Sequence, residues 1–339
     1  MSGTFTADTL AFLSTTQLIP GLSLGVLRGK QRQQLTYGQA TLEPPVSLDV
    51  HTAFPMGSVT KTITATLCQI LSEQGRLDLD APIAPLLSSL RIQDTAVTRM
   101  VSMRHLLTHT SGFQLPRMVA PGADTDLQAF VQLLPPLQQA GPLGTYQYLD
   151  AGYILAGRVI EILTGQTFGE AARNLLLGPL GLYSARFLHE PAVANVHDAT
   201  GYIKSPGGQL HPYAGTTYGP YLAPTGGLFL TTEDLLTYLA FVLASGRDQT
   251  GRSLLSPSAF QHLLTPESVP SPVSGRGLAW ETITSGKRLV HLQRCSIFGV
   301  NGVALVVPEQ NLAAAIFNNA FHGLRTQVRL MEQVMAGEL

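Results

Sequence analysis

Ser58-Val59-Thr60-Lys61 sets a hydroxyl and an amine three residues apart. The chain holds only four lysines (Lys30, Lys61, Lys204 and Lys287), and only Lys61 follows a serine at that spacing. On a helix, residues i and i+3 lie on one face, a turn apart. A serine hydroxyl is a poor nucleophile until an adjacent base takes its proton. A lysine shielded from water loses proton affinity and can take or relay that proton. The pair also falls where a long helical pattern begins, and the free N–H groups of a helix start favour developing negative charge. Acyl chemistry at Ser58 is one reading; a capped helix with a snorkelling lysine is the other.

A second serine carries a better-known signature. Gly21-Leu22-Ser23-Leu24-Gly25 spells G-x-S-x-G, which works only where a buried strand runs into a strained turn and a helix follows. Pro20 would break a central strand at that point. The residues after it, Gly25 to Gln31 and then Leu35-Thr36-Tyr37, read as a hairpin. Ser23 is therefore expected to be a strand residue with no chemical role. His105 and His109 are the only histidines four apart among nine, without H-E-x-x-H around them, so they read as structural and not as metal ligands.

The elements that must position Ser58 follow from periodicity. Strand patterns gather at both ends: 21–29 and 34–41 early, then 277–283, 288–293, 300–307 and 311–318, with a turn-like tetrad at 308–311. Helical spacing marks 58–74, closed by Gly75, then 152–163 before Gly165, 232–244 behind a capping Thr231 or Thr232, and 324–335. Strands from both ends with helices between imply one sheet completed by the two chain ends, with a helical region inserted.

With 339 residues, 45% apolar and 13% charged, the chain can bury a large core. A net charge of −1 without a basic run argues against a nucleic-acid partner. No stretch approaches the ~20 apolar residues of a membrane span, and Met1 to Asp8 has no secretory pattern. Cys68 and Cys295 are too few for a disulfide framework and lack metal-site spacing. A cytoplasmic protein acting on a small molecule is the expectation.

Whole phrases then carry a resemblance: FPMGSVTKTITATLCQILSEQGRLDLDAPI (54–83), MRHLLTHTSGF (103–113), YLDAGYILAGRVIEILTG (148–165), GPLGL (178–182), PTGGLFLTTEDLLTYLAF (224–241), LLSPSAF (254–260) and GLAW (277–280). In this order they resemble the serine beta-lactamase-like family of class C beta-lactamases, penicillin-binding carboxypeptidases and related esterases. The resemblance implies an α/β (α+β) fold of the beta-lactamase/transpeptidase type. Residues 1–56 and 223–339 would form a sheet domain and 57–222 a mostly helical one, with the active site between them. It also implies that Ser58 is the acylated nucleophile, Lys61 its partner and Tyr148 the general base. Tyr146, two residues earlier, would be a packing aromatic. A tyrosine base needs positive charge nearby, and Lys61 would supply it. No metal or organic cofactor is implied.

Two motifs depart from the family. Its Y-x-N reads here Tyr148-Leu149-Asp150. A carboxylate only accepts hydrogen bonds where an amide also donates. Asp150 would either pair with Lys61 and hold it as an ammonium ion, or bind a substrate amine, or turn away as a helix cap. The family's K-T-G or H-x-G strand lacks its glycine in either register. Starting at His291, Gln293 takes the glycine position; counting back from Pro308, the motif is Gln293-Arg294-Cys295. A side chain there is expected to narrow the groove. Arg294 could meet a carboxylate, and an oxyanion donor from the backbone of 291–296, beside that of Ser58, would survive the changes. Tyr218, Tyr221, Trp280 and Phe298 are candidate pocket aromatics. The reading is a serine hydrolase or acyltransferase acting on an ester or small specialised-metabolite acyl group, not on beta-lactams or cell-wall peptides. The alternatives are non-hydrolytic chemistry through Asp150, or a catalytically weak binding protein that keeps the fold.

Overall fold

The computed structural model describes residues 10, 18–115, 121–214, 218–271, 274–286 and 288–336; Met1 to Asp8 and Lys287 lie outside them. In chain order the elements that frame the site are β1 (Gly21–Arg28), β2 (Gln31–Leu42), β3 (Pro45–Ser47), β4 (Thr52–Pro55), α1 (Thr60–Glu73), α2 (Asp150–Thr164), β5 (Leu228–Thr231) and α3 (Thr232–Leu243). The last part of the chain adds β6 (Ser268–Ser271), β7 (Ser274–Arg276), β8 (Glu281–Ser285), β9 (Arg288–Ile297), β10 (Val300–Val307), β11 (Leu312–Asn318) and α4 (Leu324–Ala336).

One nine-stranded antiparallel sheet runs β6-β7-β8-β9-β10-β11-β1-β2-β3. β1, from the start of the chain, pairs along its whole length with β11, from the end, Leu22 opposite Asn318 and Arg28 opposite Leu312. The period-2 pattern gives this sheet two apolar faces. Leu22, Leu24, Val303, Leu305, Ala314 and Ile316 face Leu330 and Val334 of α4. Ala304, Val306, Ala313, Ala315 and Phe317 join the larger core with Leu235, Leu236 and Leu239 of α3. Ser23 points to that second face, buried, its hydroxyl 2.8 Å from Thr232 Oγ1. The G-x-S-x-G serine is a strand residue held by a core hydrogen bond.

The larger core continues into the helices between the two chain ends. α1 is buried on every side from Thr60 to Leu71, the pattern of a helix at the centre of a protein and not at its surface. Its threonines are accommodated because their hydroxyls find backbone partners: Thr62 donates to Val59 O (2.8 Å), Thr66 to Thr62 O (2.8 Å) and Thr64 to Pro224 O (2.6 Å), and Thr60 accepts from Leu228 N–H (3.4 Å). Thr231 caps α3 through Asp234 N–H, and Gly165 ends α2 at φ 72°, as the sequence suggested. One strand starts later than expected. Residues 277–280 form a turn in which Gly277 N–H donates to Trp280 O (2.9 Å) and Ala279 takes φ +72°, so β8 begins only at Glu281. Among the described residues, no helix is long and apolar enough to cross a membrane.

Candidate active site

Ser58 sits in a single 3-10 turn, Gly57–Val59, between β4 and α1. Gly57 makes the turn possible. Its φ of +49° is one that side-chain-bearing residues rarely adopt, and a Cβ there would lie 2.9 Å from Cys295 Sγ and 3.1 Å from Ile297 Cγ2. β9 therefore runs directly against the Ser58 turn.

The one-turn spacing of Ser58 and Lys61 brings Lys61 Nζ to 3.0 Å from Ser58 Oγ. Tyr148, just before α2, places its hydroxyl 2.7 Å from the same oxygen. The Lys61 side chain is only 1% exposed, and a buried ammonium group is destabilising by several kcal/mol unless it is paired and hydrogen-bonded. It has both: Asp150 Oδ1 at 2.7 Å and Thr225 O at 2.9 Å. Thr225 Oγ1 donates to the same Asp150 oxygen (2.9 Å). Burial pushes the Asp150 carboxyl up, but the Lys61 charge and the hydrogen bonds from Lys61 and Thr225 outweigh it and hold the group below the usual aspartate range. Asp150 is not a cap. The N-cap of α2 is Leu149, which makes no side-chain cap bond, and Asp150 is the helix's first residue, turned toward Lys61.

His109 completes the wall behind Tyr148. The two rings lie 4.3 Å apart at 32°. Leu149 N–H donates to His109 Nδ1 (3.1 Å), so the ring proton sits on Nε2, which is buried with no hydrogen-bond partner among the described residues. Burial, reinforced by the charges of Lys61 and Arg276, holds this imidazole well below the ordinary histidine range. It is neutral. Among the described residues, no group of three or more His, Cys, Asp and Glu side chains could hold a metal ion. The sequence had put the His105 and His109 pair down as structural, and missed that one member backs the candidate base. The signal was His109-Thr110-Ser111-Gly112 inside a phrase shared with the family.

β9 forms the other side. β8 pairs with it only from Arg288 to Leu292, so Gln293 to Ile297 form an open edge. The β9–β10 hairpin closes at Phe298-Gly299, with φ of 52° and 77°, pairing Ile297 with Val300. In such a two-residue hairpin the odd-numbered residues bond to β10, and the even-numbered ones direct N–H to the open edge. Arg294 N–H is indeed on that edge, where the side chain of Gln293 covers it (3.1 Å). Ser296 N–H, two residues on, points the same way.

The third-motif expectations need correction. Cys295 does not narrow the groove: its thiol turns under Gly57, is buried, and donates to Pro55 O (3.2 Å). Gln293 is also buried, its amide donating to Ala279 O (2.8 Å). His291 lies outside the site; it is buried against Thr282 Oγ1 (2.8 Å), and burial lowers it to about 4. Arg294 is half-exposed but donates to Glu281, which also receives Arg276 (3.5 Å). Trp280 is fully buried core, and Tyr221 is buried in a stack on Phe130 at 4.8 Å, so neither has a face to offer a ligand. Tyr218 remains half-buried, 5.6 Å from Phe298 at the tip of the hairpin. Tyr146 packs edge-on to His109, with the buried Arg276 guanidinium 5.8 Å from its ring.

An antiparallel sheet flanked by helices, with a serine turn set against the edge of one strand, is the beta-lactamase/transpeptidase-like fold. The chain belongs to the beta-lactamase family, which matches residues 7–335, a family of serine hydrolases. It is 31% identical over 250 residues to penicillin-binding protein 4 of Amycolatopsis lactamdurans, covering 73% of this chain and 65% of that protein. It is 28% identical over 287 residues to an unguisins hydrolase of Aspergillus campestris, covering 78% and 52%. The chain thus spans half to two thirds of the length of these two relatives. Among solved structures, SurE superposes with a TM-score of 0.82 at 26% identity, covering 98% of this chain and 76% of that one. A D-stereospecific amidohydrolase from Streptomyces gives 0.75 at 25%, covering 93% and 94%.

Proposed function

We propose that the protein is a serine acyl hydrolase or acyltransferase that works through an acyl-enzyme on Ser58. The observation that carries this is the three-way contact of Ser58 Oγ with Tyr148 Oη at 2.7 Å and Lys61 Nζ at 3.0 Å, at the start of a helix. Asp150 compensates the Lys61 charge, so Lys61 serves as a fixed cation, and Tyr148 is the group left to manage the proton. Ser58 Oγ bonds to the carbonyl carbon while its proton passes to Tyr148 Oη, which starts as the phenolate beside the Lys61 ammonium and becomes the neutral phenol. The carbonyl oxygen becomes an oxyanion facing the N–H groups of Ser58 and Ser296. Collapse breaks the bond to the leaving group, which departs with a proton from Tyr148. Water or another nucleophile then releases the acyl group by the reverse relay.

Beta-lactams and cell-wall peptides are poor fits, because Asp150 offers a carboxylate where those substrates meet an amide donor. An ester or small specialised-metabolite acyl group is the better fit. Relatives named as an unguisins hydrolase and a D-stereospecific amidohydrolase are compatible with acyl substrates other than beta-lactams. The test is labelling with a fluorophosphonate, read by mass spectrometry. An adduct on Ser58 that disappears in Ser58→Ala is expected; a wild-type protein left unlabelled, with no turnover of p-nitrophenyl esters, would refute the assignment.

A further inference from the structure

Asp150 is used on one side only. Lys61 and Thr225 both engage Oδ1, and among the described residues no hydrogen bond ends on Oδ2. The side chain is nonetheless 58% exposed, so the free oxygen is open to solvent at the site itself. A carboxylate has about four acceptor positions and no donor. Whatever approaches Oδ2 must bring a hydrogen, and a charged donor gains most.

We infer that Asp150 selects acyl donors bearing a protonated amine beside the scissile carbonyl: aminoacyl esters, amides or thioesters whose amine is free. The inference rests on Ser58 being the nucleophile. Ser58 Oγ is 3.0 Å from Lys61 Nζ, and Nζ is 2.7 Å from Asp150 Oδ1, so Oδ1 lies within about 5.7 Å of the hydroxyl. A carbonyl carbon poised about 3 Å from Oγ carries its α-nitrogen two bonds away. A hydrogen bond of about 2.8 Å closes the remaining gap to the carboxylate. The substrate ammonium and Lys61 then share one carboxylate, each on its own oxygen. An acylated amine keeps only a neutral N–H and forgoes the charge-assisted bond, and a propionyl group offers no donor at all. The reaction leaves the ammonium unchanged: the bond from Ser58 Oγ to the carbonyl carbon forms, the ester bond breaks, and the alcohol leaves with the proton relayed by Tyr148.

The experiment uses the full chain with benzyl esters of D- and L-alanine, N-acetylalanine and propionic acid, reading released benzyl alcohol as kcat/KM, alongside fluorophosphonate labelling of the wild type. An alanine ester preferred about 10- to 100-fold over both the propionate and N-acetyl esters is expected. That preference should decline above pH ~8 as the substrate amine loses its proton. Asp150→Asn should collapse the ratio toward one; if that variant does not fold, the wild-type ratios and their pH dependence decide alone. A labelled Ser58 with no amine preference, or with the same ratio in Asp150→Asn, overturns the specificity while leaving the nucleophile assignment standing. An unlabelled Ser58 with no turnover removes both.

Discussion

The two walls of the candidate site are built on opposite principles. On the helical side, the candidate groups are side chains anchored on a buried one: Lys61 is 1% exposed and held by Ser58, Thr225 and Asp150. On the sheet side, the open edge of β9 contributes a backbone N–H, and its inward side chains, Gln293 and Cys295, serve the core. Changing a residue in the first wall removes a group that the proposed mechanism uses. Changing one in the second leaves the amide in place, so the departures at Gln293 to Cys295 come at low cost, whereas the departure at Asp150 alters the pairing of Lys61. The lesson is that a degenerate third motif says little about lost activity when the first is intact.

The contrast is sharpest at Tyr148. Among the described residues, its hydroxyl is the one side-chain group besides Lys61 hydrogen-bonded to Ser58 Oγ. Tyr148→Phe should therefore lower kcat/KM for a p-nitrophenyl ester by roughly 10²- to 10⁴-fold; a loss under tenfold would shift the proton relay to Lys61. On the sheet wall, Ser296→Pro deletes the N–H at an open-edge position that proline can occupy. A fall in kcat of about 10²- to 10³-fold is expected, with Ser296→Ala costing at least tenfold less. Equal losses in the two variants would mean that the side chain, not the amide, does the work.

Acid provides the mildest test, through His109 behind one wall and His291 behind the other. Both folded pKa values are depressed by burial, His291 to about 4. The unfolded chain therefore binds protons that the folded one refuses. Stability contributed this way is complete above the ordinary histidine value of ~6.5 and declines as pH falls toward the folded values. Each histidine adds a slope of up to about 1.4 kcal/mol per pH unit. Urea unfolding between pH 7 and 4.5 should show the decline, and His291→Asn should lessen it. Asp150 acts lower: its carboxyl is depressed, so the Lys61 pair is intact above ~3.9 and fails only as pH drops through the folded value.

Legibility in the sequence followed the same division. Ser58 and Lys61 were readable because i and i+3 on a helix fix their relation without further knowledge of the fold. The strands at the two ends and the four main helices were readable from periodicity, apart from the turn at 277–280, where Ala279 adopts a positive φ that composition does not announce. Asp150 was not readable. Cap and ion pair were both open to it, and the choice depends on Thr225, 75 residues away. The donor at Ser296 was hidden in another way, since the direction of an amide follows from where the Phe298-Gly299 turn closes and not from the residue itself. The aromatic candidates Trp280 and Tyr221 failed because a large ring fills a core as readily as it lines a pocket.

The pairing of β1 with β11 has a consequence for how the protein comes into being. The ribosome makes β1 early, yet its partner strand ends only at Asn318. At roughly 5–20 residues per second, that edge waits on the order of 15–60 s with its backbone groups unclaimed. Gly57 and the Ser58 turn wait with it, since β9 is also late in the chain. The candidate site is thus incomplete until β9 and β11 have been made, and a nascent chain stalled before β9 would expose an unpaired edge and lack one wall of that site.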